Sequence, residues 1–188
     1  NGDLSGVASL VSWDNDVTLV TTADSTLRSA YDLAGAQVAV TTRSASEYFV
    51  HSGALVHGID AGSLQLRATR PEQMSRDLLD NTGIQALSLW EPYGYQLMQA
   101  LGKKAVLLPT KGLHTTSFNL LALNQTLDTQ PQAILATLRA LNQAASFIQR
   151  DPAGAKTIIQ QQLSLEPGFI DWVWPDYNFR LGLGQSLL

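Results

Sequence analysis

The 188-residue sequence predicts an α/β fold built on a mainly parallel sheet. Three observations carry that prediction. Short β-branched runs alternate with stretches of helical period, helix-start signals follow directly on the runs, and glycines close the helices.

The first run, Val17 to Thr22 (VTLVTT), reads as a strand. Asp24-Ser25 and Asp32-Leu33-Ala34-Gly35 then mark a loose turn of helix before a second strand, Gln37 to Thr42. Ser44-Ala45-Ser46-Glu47 has the form of a capping box, in which Glu47 reaches back to the Ser44 amide at the head of a helix to about Val56. Leu64 to Ala68 is the next strand. Pro71 suits a first helical position, and Met74, Leu78 and Leu79 supply that helix's buried stripe. After Gly83, Ile84 to Trp90 is a third strand in this series, Pro92 opens a helix to about Leu101, and Gly102 precedes the strand Ala105 to Leu108. Beyond Phe118 to Leu123 the period becomes helical: Ile134, Leu138, Leu141, Ala145 and Ile148 share one face, and Asp151-Pro152 starts the next helix. The aromatic set Trp172, Trp174, Tyr177 and Phe179 is expected to pack among the last helices.

Apolar residues make up 45% and charged residues 15%, a composition that buries a core. The net charge is −4 and the twelve basic residues are scattered, which argues against a nucleic-acid partner. No apolar run approaches the roughly 20 residues of a membrane helix. The start, Asn1-Gly2-Asp3, has neither the basic nor the apolar region of a signal peptide, so a soluble mature chain is expected. The absence of cysteine excludes disulfides, thiolate metal sites and cysteine nucleophiles, and leaves the compartment open.

Read in order, Asp32-Leu33-Ala34-Gly35 with Val38-Ala39-Val40-Thr41, Ser44-Ala45-Ser46-Glu47-Tyr48-Phe49, Ser88-Leu89-Trp90-Glu91-Pro92-Tyr93, Phe118-Asn119-Leu120 and Gly184-Gln185-Ser186-Leu187-Leu188 form a series. The series resembles the nitrate, sulfonate and taurine branch of periplasmic solute-binding proteins, which includes thiamine-pyrimidine binders. It spans about Val11 to Leu188. The resemblance implies a type II periplasmic-binding-protein fold with a complete second lobe over residues 30–112. Residues 1–29 would hold part of lobe 1 and the outward crossing, and residues 113–188 the return crossing and the C-terminal helices of lobe 1. By the same comparison the first lobe is incomplete, exposes apolar surface, and invites self-association.

In open α/β sheets ligands bind at the carboxyl ends of the strands. Here those ends hold Ser44 and Ser46, where helix amides favour an anionic group, and Trp90, Glu91 and Tyr93, where an indole can stack and a carboxylate can accept hydrogen bonds. Ser44 also serves as an N-cap with Glu47 as its partner, Trp90 can equally pack inside its lobe, and Glu91 can be a solvated first-turn acid. Thr116, with His114, Thr115 and Ser117, lies near the return crossing, where loop polarity explains these residues as well as ligand contact does. Trp13-Asp14-Asn15-Asp16 is a poor calcium loop and a better surface turn, and His51 and His57 are six apart, too far round a helix to share a ligand. No metal, cofactor or catalytic residue is assigned.

The resemblance implies extracytoplasmic, periplasmic binding of a small molecule, a sulfonate, a nitrate-like anion or a flat heterocycle, for delivery to the membrane permease of an ABC importer. A ligand-sensing domain of a membrane receptor is the alternative. A pyrimidine-synthase-like or dehydratase-like enzyme fits less well, because the synthases' cysteine cluster is missing and no nucleophile with a base partner can be named.

Overall fold

The computed structural model describes residues 3–80, 83–110 and 112–183. Asn1 and Gly2, and the closing Gly184 to Leu188 string, lie outside the described residues. The strands are β1 (Leu4–Trp13), β2 (Val17–Thr22), β3 (Gln37–Val40), β4 (Gln65–Ala68), β5 (Ala86–Trp90), β6 (Ala105–Leu107), β7 (Thr116–Leu123) and β8 (Tyr177–Gly182). The helices are α1 (Ala45–Val56), α2 (Pro71–Leu79), α3 (Tyr93–Leu101), α4 (Asn124–Thr129), α5 (Pro131–Arg150), α6 (Pro152–Leu163) and α7 (Pro167–Val173). They fall into two compact units, one over Asp14–Thr115 and the other over the remaining described residues, 3–13 and 116–183.

In the Asp14–Thr115 unit the strand order is β4-β3-β5-β2-β6. β3 runs parallel to both β4 and β5, while β2 is antiparallel to β5 and β6, so four of five strands share a direction. Alternation along the strands sends side chains to two separate cores. Val17, Leu19, Val38 and Val40 meet Phe49 and Val50 of α1 on one face. Val20, Ala39, Leu87 and Leu89 meet Met74 and Leu78 of α2 and Leu97 and Leu101 of α3 on the other. Both faces are therefore covered by helix, as a mainly parallel sheet requires.

Two details depart from the sequence reading. Leu79 turns outward and is 51% exposed, so the α2 stripe consists of Met74 and Leu78. The division between units also falls near residue 14 rather than 30, because β2 is a full partner in the larger sheet and cannot be separated from it. The 3-10 turn Ala30–Leu33 belongs there too, with Ser29 and Asp32 forming a capping box and Ala30 and Leu33 in the core.

The second unit holds an antiparallel sheet in the order β7-β1-β8. Neither β1 nor β8 was expected. β1 shifts register twice along its pairing with β7, between Gly6 and Ala8 and between Ser9 and Val11, which spoils strict alternation. Tyr177 and Phe179 lie on β8 rather than among helices: the Phe118, Trp13, Tyr177 and Phe179 rings stack across the three strands at centroid spacings of 4.7, 5.0 and 5.5 Å. Trp174 continues the row against Phe179 and receives Lys156, which is also bonded to Asp171 at 2.7 Å.

Each unit brings its own two chain ends together. Trp13 and Thr116 are register partners on β1 and β7, and the Thr115 hydroxyl donates to Asp14 Oδ1 at 2.7 Å. Among the described residues no helix is long and apolar enough to cross a membrane.

Phe49 is the largest fully buried side chain of the first core. Phe49→Ala is expected to destabilise the Asp14–Thr115 unit by about 3–5 kcal/mol in denaturant unfolding.

Candidate functional site

The larger sheet brings the carboxyl ends of β3, β4 and β5 to one pole, and a helix begins at each: α1 after β3, α2 after β4, α3 after β5. Three positive dipole ends thus point to the same region. The start of antiparallel β2 joins them, since Val17 lies opposite Trp90 and the Glu91 amide donates to the Asp16 carbonyl at 3.2 Å.

The turn after β3 is the most constrained part of this pole. The Ser44 hydroxyl donates to the Thr41 carbonyl at 2.6 Å and accepts from the Ser46 amide at 3.1 Å, an N-cap that fixes where α1 starts. Glu47 reaches one residue further back than a capping box predicts, taking the Arg43 amide at 2.6 Å. Arg43 is exposed and holds φ +58, a left-handed conformation uncommon for a residue with a Cβ. Residues in such conformations cluster at ligand sites, and sequence reasoning missed Arg43; the signal was a cation directly before an N-cap serine at a strand end.

Ser46 has a different environment from the one expected. It is fully buried; its hydroxyl donates to the Ser88 carbonyl at 2.8 Å and accepts from the Thr41 amide at 3.2 Å. Ser88, equally buried, returns a hydroxyl bond to the Ser46 carbonyl at 2.9 Å. These three bonds fasten α1 to the ends of β3 and β5.

Trp90 ends β5, packs partly against the first core, and meets Tyr93 edge-on at 5.7 Å. Glu91 folds over the start of α3, where its Oε2 accepts from the Tyr95 amide at 3.0 Å. Gly94 is what admits it: a Cβ there would stand 3.0 Å from Glu91 Oε1 and 3.1 Å from Thr18 Oγ1. Tyr93 turns toward α2 and donates to Glu72 Oε1 at 3.1 Å, lining a cleft of about 290 Å³ with Pro71, Ser75, Gln96 and Ala100. This bond and the Glu72 charge hold the phenol above its ordinary range, because proton loss would set two negative groups side by side.

Of the six sequence-predicted residues, the pole unites Ser44, Ser46, Trp90, Glu91 and Tyr93. Thr116 belongs to the other unit, where it opens β7. His114 lies edge-on to Tyr48, and His57 against Tyr31, both ring contacts. Among the described residues no group of three or more histidines and carboxylates could hold a metal ion.

No protein-family model matches the sequence, and neither does any curated protein sequence. Solved structures do match. The chain superposes on the periplasmic aliphatic sulphonate binding protein SsuA from Escherichia coli with a TM-score of 0.75 at 15% identity, covering 98% of this chain and 66% of that one. The fold is that of the periplasmic sulfonate-binding proteins. Another structure of this fold, the alkanesulfonate-binding protein SsuA from Xanthomonas axonopodis pv. citri bound to MOPS, gives 0.70 at 20% identity over 98% of this chain and 64% of that one. The desulfurization enzyme DSZB gives 0.65 at 13% identity, over 90% and 63%. The chain spans just under two thirds of the length of these periplasmic-binding-protein-like structures.

Two measurements check this geometry. Ser46→Ala is expected to lower stability by about 1–3 kcal/mol, because it strips partners from buried groups. The capping variant Ser44→Ala should cost about 1 kcal/mol. Equal losses in denaturant unfolding would contradict the assignment. Glu72→Gln should lower the Tyr93 pKa toward the ordinary phenol range, read as an earlier phenolate absorbance rise in alkaline difference titration against the parent.

Proposed function

We propose that this chain recognises a small solute at the strand-end pole of its Asp14–Thr115 unit and serves as the extracytoplasmic, periplasmic binding component of an ABC-type importer. The observation that carries the reading is the Arg43–Ser44 turn: a strained, exposed cation beside a capped helix start, at a pole where three helices begin. Such a turn suits an oxyanion, by backbone amides, helix dipole and guanidinium together. The fold shared with sulphonate-binding proteins, one of them bound to MOPS, supports a sulfonate as the solute class.

Each residue then has a role. Arg43 receives the anionic head beside the start of α1, where the Ser44 hydroxyl, already bonded to the Thr41 carbonyl and the Ser46 amide, holds the turn, and Trp90 offers an indole to the solute's apolar or flat part. Ser46, Glu91 and Glu72 hold the pole in shape: their polar atoms are already bonded to protein partners. Two first-turn acids, Glu47 and Glu72, and Glu91 just before α3 also offset part of the dipole field, so the site favours singly charged solutes over more highly charged ones.

DSZB shows that this fold also houses an enzyme. For this chain we favour binding without chemistry, since it has no cysteine and the described His57 and His114 rings lie against aromatic rings rather than hydroxyls. In the proposed role the chain hands its solute unchanged to a membrane permease.

The test is titration calorimetry and thermal shift with MOPS, taurine and nitrate, with the solute recovered afterwards. A sulfonate should raise the melting temperature and be recovered intact. Arg43→Gly relieves the left-handed strain at the cost of glycine's unfolded-state freedom, so it should leave stability within about 1 kcal/mol of the parent. It should weaken sulfonate binding roughly tenfold or more. Unchanged affinity in this variant, or consumption of the solute, would overturn the proposal.

A further inference from the structure

We infer that the cleft between α2 and α3 binds a small alkylammonium cation. The cleft has a volume of about 290 Å³ and is framed by Glu72 and Ser75 on α2 and by Tyr93, Gln96 and Ala100 on α3. The three α3 residues share one helix face, at i, i+3 and i+7. Leu89 and Leu97, both buried, form an apolar floor. All of this lining belongs to the Asp14–Thr115 unit, and it lies on the opposite face of the sheet from α1.

The charge of the cleft is one-sided. Among the described residues that line it, Glu72 carries the only formal charge and none is basic. Arg70 and Arg76, at either end of α2, are exposed and stand outside the lining. The Tyr93 hydroxyl donates to Glu72 Oε1 at 3.1 Å, and this bond, with the Glu72 charge, holds the phenol above its ordinary range, so the ring stays neutral. The edge-on Trp90 ring at 5.7 Å braces Tyr93 from another side. The aromatic wall is therefore set before a guest arrives.

A carboxylate beside an aromatic ring, over an apolar floor, suits an ammonium wrapped in methyl or methylene groups. The charge meets Glu72 and the ring quadrupole, and the carbons meet the leucines. A metal ion would leave the floor unused, a neutral apolar guest would leave Glu72 unanswered, and an anion would be repelled. The dipole ends of α2 and α3 oppose a cation only within their first turns, whereas the cleft runs about two turns down α3 to Ala100. Glu91, fixed on the Tyr95 amide, offsets the α3 end as well.

The experiment is a calorimetric titration of the 188-residue chain with choline and with 3,3-dimethylbutan-1-ol, its uncharged isostere. Choline should bind roughly tenfold more tightly than the alcohol. Glu72→Gln, which keeps an acceptor for Tyr93, should erase that preference. Ala100→Leu, at an exposed position on the cleft wall, should weaken choline binding roughly tenfold by filling the space. Circular dichroism checks that each variant folds, and either one alone decides the matter. No choline binding at millimolar concentration, equal affinity for the two probes, a preference left intact by Glu72→Gln, or choline affinity untouched by Ala100→Leu would each overturn the inference.

Discussion

The pole of the Asp14–Thr115 unit depends on a reciprocal pair of hydrogen bonds in a place without solvent. Ser46 and Ser88 each give a hydroxyl to the other's carbonyl, and Ser46 also accepts the Thr41 amide. A buried hydroxyl without partners is costly, so these groups lock into one arrangement rather than several. That arrangement sets the distance between α1 and the ends of β3 and β5, and through it the Arg43–Ser44 turn. The two apolar clusters supply cohesion on either side of the sheet, but packing alone would tolerate α1 sliding along it. The serine pair removes that freedom.

Electrostatics at the pole follows from helix placement and is then moderated. Three helix starts raise the local potential, and three glutamates at or beside their first turns lower it. Glu47 holds the Arg43 amide and Glu91 the Tyr95 amide, so both carboxylates are fixed on backbone rather than swinging in solvent. The result is a region with directional donors and a modest net field. Arg43 and Arg70, both exposed, supply positive charge beside it.

Much of the larger unit was legible because its elements carry local signals. β-Branched runs, Pro71 and Pro92 at helix starts, and the Ser44 cap each determine structure within a few residues. The long helix α5 showed its period, and Asp151 its cap on α6. What escaped was non-local. The β1 sequence LSGVASLVSW loses its alternation at the bulges and so hid a ten-residue strand. β8 sits behind aromatics that read as helix packing, though they form a row only once β1 and β7 are alongside. In the site, Ser44 as cap was visible from spacing. The burial of Ser46 was not, because its partner Ser88 lies 42 residues away.

The Asp14–Thr115 hydrogen bond and the Trp13–Thr116 register pair have a further meaning for how such a molecule is put together. The larger unit begins and ends at neighbouring points, Asp14 and Thr115. Its two ends are close enough to be joined by a very short link, and the remaining strands β1 and β7 could be closed by a tight hairpin. A segment with touching ends can be transplanted, circularly rearranged or exchanged during evolution without redesigning what surrounds it. The strand-end pole, with its Arg43–Ser44 turn, would travel with that segment as one cassette.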